Sequence, residues 1–147
     1  GLPSEIWGID SRDYVKVADP WPLNPDGELL LGLKLESREC VANADHIAST
    51  PGLAFAEWGP VDMGMSYDYE EDTHDPPYPV ELENARHAIK KACDDNGLFF
   101  LGCWHDKSLS EKENIQFLLD WGVRIISCLG EDGASIGRSI TGRSMPV

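Results

Sequence analysis

Short apolar runs alternate along this chain with stretches of helical periodicity. Residues 28–36 read Glu-Leu-Leu-Leu-Gly-Leu-Lys-Leu-Glu, a nearly continuous apolar run that ends on the carboxylate of Glu36. Such a run fits a strand buried on both faces of a parallel sheet. Ser37 is placed to cap the helix that follows, in which Cys40, Val41, Ala44, Ile47 and Ala48 recur at helical spacing. Thr50-Pro51-Gly52 stops that helix, and residues 53–58 form a second strand. It runs into Gly59-Pro60-Val61-Asp62-Met63-Gly64, a turn signal with an acid inside it. After a polar loop, residues 80–96 predict a helix with Leu82, Ala85, Ile89, Ala92 and Cys93 on one face and Gly97 past its end. Residues 98–103 are a third strand. Ser110-Glu111-Lys112-Glu113 is a capping box before a helix with Ile115, Leu118 and Leu119 on one face, and Gly122 ends it. Residues 123–128 are a fourth strand.

The order is strand–helix repeated, which means a parallel sheet with right-handed crossovers, an α/β fold. Residues 1–27 hold the run Asp19-Pro20-Trp21-Pro22-Leu23-Asn24-Pro25-Asp26-Gly27 and predict an irregular connecting segment, with a short helix near 11–17. Residues 28–130 carry the four βα units. Residues 131–147 form a Gly-rich tail with room for one helical turn.

Composition narrows the function classes. Twenty-six Asp and Glu face 12 Lys and Arg, a formal net charge of −14, so the surface repels nucleic acid and anionic membranes. The longest apolar stretch, 98–104, is far too short for a bilayer span, no basic apolar leader precedes it, and the expected location is cytoplasmic. Cys40, Cys93, Cys103 and Cys128 form no CxxC pair and match no zinc spacing; they read as buried reduced thiols, the first two on helices and the last two at strand ends. The acidic Tyr69-Glu70-Glu71-Asp72 loop lacks the spacing of an EF-hand. No Ser-His-Asp order, phosphate loop or dinucleotide fingerprint is present.

In parallel α/β folds the chemistry collects at the carboxyl ends of the strands. Glu36 closes the first strand and Asp62 lies just past the second. Neighbouring strands are about 5 Å apart, so the two carboxylates can share one hard divalent cation. The alternative is that Glu36 caps the next helix and Asp62 only shapes a turn. Gly59 and Pro60 fix that turn and expose the backbone N–H groups of Val61 and Asp62 to an anion. Glu57 is a third carboxylate nearby, facing either a barrel interior or the helix layer. His105, after the third strand, is a proton shuttle, a pocket wall or a plain loop residue.

Four segments together resemble a known family. They are Leu33-Lys34-Leu35-Glu36-Ser37, the helix around Asn43, Pro51-Gly52-Leu53, and Glu57-Trp58-Gly59-Pro60-Val61-Asp62-Met63-Gly64. In order and separation they resemble the HpcH/HpaI aldolases, metal-dependent class II pyruvate aldolases related to citrate lyase β-subunits. The resemblance covers roughly residues 5–130 and implies a (β/α)8 TIM barrel of about 250 residues, of which four βα units make about half. The motifs match the family's strands five to eight.

The resemblance further implies that Glu36 and Asp62 bind Mg²⁺, Mn²⁺ or Co²⁺, and that backbone amides of the loop formed by Gly59, Pro60, Val61 and Asp62 help hold the substrate carboxylate. It implies a carbon–carbon lyase acting on pyruvate or a related 2-oxo acid with an aldehyde partner. The family's catalytic histidine and arginine lie in its first half and have no counterpart here; His105 does not match that histidine. An acyl-CoA or citramalyl-type lyase is the related alternative. A non-catalytic half-barrel that completes a partner chain is the alternative of a different class. The implied partners are the missing barrel half, in this or another subunit, and a homo-oligomer, a hexamer in the family.

Overall fold

The computed structural model describes residues 1–127 and 129–144. Two short helices open the chain, α1 (Leu2–Trp7) and α2 (Ser11–Val17), the second at the position its sequence predicts. A departure follows. Pro20–Trp21 forms a short strand, β1, that pairs in parallel with β2 (Leu29–Leu30). Proline donates no ladder hydrogen bond and tolerates the edge of a sheet, so the Pro-rich run still reaches a strand conformation.

The predicted first strand is divided, β2 giving way to β3 (Gly32–Lys34). With β4 (Phe55–Glu57), β5 (Phe99–Cys103) and β6 (Ile125–Ser127) it builds a four-stranded parallel sheet in the order β3-β4-β5-β6. Gly32, Leu33 and Lys34 register with Phe55, Ala56 and Glu57, and these in turn with Phe99, Phe100 and Leu101. Sequential strands in sequential order, with helical crossovers, are the arrangement of half a (β/α)8 barrel. Cys128, expected at the end of the fourth strand, lies outside the described residues.

One face of the sheet is covered by helices. Ala56, Phe100 and Gly102 point to it and are buried. The long helix α6 (Val80–Asn96) lays Leu82, Ala85, Ile89, Ala92 and Cys93 on that face, at the i, i+3, i+4 spacing of its sequence. Gly97 ends α6 with φ of 73°, a left-handed conformation that favours glycine. Burial pushes the Cys93 thiol up to about 11, which leaves it un-ionised at neutral pH. Arg86 is buried on the same helix, its guanidinium 4.3 Å from the Trp121 ring centroid and 4.6 Å from that of Trp104, with Glu83 accepting at 2.8 Å.

α7 (Glu111–Asp120) starts with the predicted capping box: Ser110 Oγ accepts from Glu113 N, and Ser110 N donates to the Glu113 carboxylate at 2.8 Å. The helix after Ser37 is two pieces, α3 (Arg38–Ala42) and α4 (Ala44–Ala48), broken at Asn43, whose backbone leaves helical geometry at φ −115° and ψ 13°. The tail holds nine helical residues, α8 (Gly133–Thr141), rather than one turn. Among the described residues no helix is long and apolar enough to cross a membrane.

Candidate functional site at the strand ends

The opposite face of the sheet carries Phe55, Phe99 and Leu101, with the Phe55 ring lying over Gly32 and Trp21 stacked on Phe99 at 5.7 Å. Lys34 and Glu57 share that face and the same register position. Alternation turns Trp58 into the core at 0 % exposure, where Tyr78 meets its ring edge-on at 5.2 Å. Glu57 therefore faces away from the helix layer, which resolves its orientation.

The β3–β4 ladder runs past the strands proper, because Leu35 N donates to Glu57 O at 2.8 Å. That bond delivers Glu36 to the level of Gly59, where β4 turns into the next element. Gly59 to Gly64 was expected as a turn; it is the start of a helix, α5 (Pro60–Ser66), with Pro60 in its first turn. Asp62 sits in that first turn, and the first N–H taken by a helical carbonyl is that of Met63, on Gly59 O at 3.1 Å. The N–H groups of Val61 and Asp62 precede it and have no intrahelical acceptor. Thr73, buried, donates to Pro60 O at 2.8 Å and fastens the long loop over this helix start. Arg38 ties α3 to the end of α5, its N–H on Ser66 Oγ at 3.0 Å and its guanidinium on Asp68 at 2.7 Å. Glu36 does not cap α3: Ser37 does, accepting from Cys40 N at 3.2 Å.

Glu36 and Asp62 meet at one ammonium. Lys34 Nζ lies 3.0 Å from Glu36 Oε1 and 3.8 Å from Asp62 Oδ2. The Glu36 side chain is only 13 % exposed, whereas those of Asp62 and Lys34 are each 57 % exposed. Burial raises the Glu36 carboxyl above the ordinary glutamate range, and Lys34 pulls it partly back. The same pairing with Glu36 raises Lys34. Oε1 of Glu36 is buried and accepts no well-formed hydrogen bond among the described residues. It lies against Gly59 so closely that a Cβ there would fall 1.8 Å from it.

Among the described residues no group of three or more His, Cys, Asp and Glu side chains converges as a metal cluster. The pair still fits a hard divalent cation. Mg²⁺ commonly takes one or two protein carboxylates and completes its shell with water and substrate oxygens. Glu36 Oε1, buried and paired among the described residues with the Lys34 ammonium alone, would be one such donor and Asp62 the second.

Lys34 escaped the sequence reading. The available signal was strand alternation, which sets residues 34 and 36 on one face. His105 stands apart from this pair. It lines a cleft of about 320 Å³ with His74, Trp104, Glu111, Asn114 and Gly130. Asp75 binds that region together, with Lys107 Nζ at 2.7 Å and His74 Nδ1 at 3.0 Å.

No curated protein matches the chain. Among solved structures, an HpcH/HpaI aldolase/citrate lyase family protein from Burkholderia cenocepacia superposes with a TM-score of 0.59 at 21 % identity, over 89 % of this chain and 45 % of the other. Protein CitE from Mycobacterium tuberculosis, in complex with magnesium and acetoacetate, gives 0.62 at 16 % identity, over 76 % and 48 %. The citrate lyase β subunit complexed with oxaloacetate and magnesium, from the same organism, gives 0.59 at 17 %, over 72 % and 49 %. The chain spans about half the length of these structures, and the likeness is one of fold. By its match to the family over residues 14–137, the chain belongs to the HpcH/HpaI aldolase/citrate lyase family.

Proposed function

We propose that this chain supplies the metal-holding half of a divalent-metal-dependent carbon–carbon lyase, a class II aldolase acting on pyruvate or a related 2-oxo acid. The observation that carries the reading is the convergence of Glu36, just past β3, and Asp62, in the first turn of α5 after β4, on one cationic position. Two relatives described with magnesium and a 2-oxo or 3-oxo acid support it.

Glu36 and Asp62 would hold Mg²⁺, Mn²⁺ or Co²⁺, a Lewis acid that stabilises the charge of an enolate. Gly59 keeps the Glu36 carboxylate in place by having no side chain to displace it. The N–H groups of Val61 and Asp62, at the opening of α5 and without an intrahelical acceptor, would serve as donors to the substrate carboxylate. No lysine is required as a Schiff base. The base and the arginine that the family uses would come from the barrel half outside this chain. The acidic surface, with its net charge of −14, offers few cations for the phosphates of a CoA thioester and so favours a small 2-oxo acid.

The test is deuterium exchange into the methyl group of pyruvate, followed by NMR in the protein that carries this chain. Exchange is expected with Mg²⁺ or Mn²⁺, to stop on chelation, and to fall on the order of 100-fold in Glu36→Gln and in Asp62→Asn. Full exchange in either variant removes that residue from the site. Absence of exchange in the unaltered protein favours the half-barrel that only completes a partner.

A further inference from the structure

A single ammonium is the cation of this site. Among the described residues Lys34 is the only basic group within 4 Å of either Glu36 or Asp62. Its position follows from the strand, since residues 34 and 36 lie on one face of β3 and its ladder extension, and Lys34 is registered with Glu57. Its ammonium lies 3.0 Å from Glu36 Oε1 and 3.8 Å from Asp62 Oδ2, on the face that also carries Glu57. A cation serving both carboxylates would use the same oxygens, Oε1 of Glu36 and Oδ2 of Asp62.

We propose that Lys34 competes with the divalent cation for Glu36 and Asp62 and thereby sets the metal affinity of the site. The inference rests on the reading that these two acids hold the cation. Two positive charges a few ångström apart repel, and each carboxylate oxygen given to the ammonium has to be recovered before it can ligate. The geometry permits that exchange. The Lys34 side chain is 57 % exposed, and its flexible four-carbon stem lets the ammonium swing into water without disturbing β3. Glu36 has no such freedom, being held at 13 % exposure against Gly59, so the lysine is the partner that moves.

The test is Mn²⁺ binding alone, read from the free-ion electron paramagnetic resonance signal, in the full protein that carries this chain. Lys34→Met keeps the length and the apolar stem and removes the charge; it should tighten Mn²⁺ binding by about tenfold or more. Lys34→Arg keeps the charge and should bind no more tightly than the unaltered protein. Lys34→Gln is a second neutral variant, for use if circular dichroism shows that Met at this position alters the fold. Equal or weaker binding in the neutral variants overturns the competition. Glu36→Gln and Asp62→Asn separate the two claims. If they abolish binding while Lys34→Met changes nothing, only the inference about Lys34 falls. If they leave binding intact, or if no variant binds Mn²⁺ at all, the metal reading falls with it.

Discussion

Gly59 shows how one position without a side chain can define a site. Its backbone is extended, with φ of −105°, so glycine is not needed there for conformation. It is needed for space, because a Cβ would lie 1.8 Å from Glu36 Oε1. Gly59→Ala should leave the fold intact and push the Glu36 carboxylate away from Asp62. The expected outcome is a Mn²⁺ affinity at least about tenfold weaker, with the far-UV circular dichroism unchanged; undiminished binding would show that Glu36 Oε1 is not a ligand. Glu36 and Asp62 were visible in the sequence as candidates, because carboxylates at and just past strand ends stand out against apolar runs. Lys34 was not, since a lone lysine inside such a run reads as a solvated edge residue until its register with Glu57 is known.

At the scale of elements, the loop after α5 is held to the loop after β5 by Asp75. Lys107 lowers the Asp75 carboxyl below the ordinary range, burial opposes that, and His74 assists it. A depressed folded value means that the pairing stabilises the protein above the unfolded aspartate pKa of about 3.9 and is lost as pH falls through the folded one. Lys107 is 76 % exposed, so the contribution is modest. Asp75→Asn should therefore lower the urea midpoint at pH 7 and converge with the unaltered protein once the pH falls below the lowered folded value. A constant offset across that range would mean that the carboxylate charge plays no part.

Elements were legible where local signals agreed. α6 spans its predicted residues because periodicity, the preceding Pro79 and the trailing Gly97 all point one way. α3 and α4 were read as one helix because Asn43 is compatible with helical spacing, and only the backbone shows the break. The strand pair β1–β2 was hidden by its prolines, whose local preference says loop while pairing with Leu29 and Leu30 decides otherwise. α8 was underestimated because glycines at 133, 137 and 142 weaken the helical signal.

The whole molecule is a sheet with one finished face. The helices bury Ala56, Phe100 and Trp58, while Phe99 on the other face remains 37 % exposed. Among the described residues β3 and β6 are the edges of the four-stranded sheet. Unpaired parallel edges and an apolar inner face favour association with further strands. Produced alone, the chain should run in light scattering well above its 16.3 kDa, whereas a stable monomer would show that these edges are self-sufficient. This scale was legible from the count of βα units, since four such units make about half of a (β/α)8 barrel. Under the proposed lyase reading the aldehyde partner was not legible, because active sites of such barrels are built by the loops of all eight strands.

A crystal of the Mn²⁺-soaked protein, measured at the manganese edge, locates the divalent ion directly. The predicted result is one anomalous peak bonded to a carboxylate oxygen of Glu36 and one of Asp62, with the Lys34 ammonium displaced from both. A peak elsewhere, or none between these residues at saturating Mn²⁺, would contradict the account.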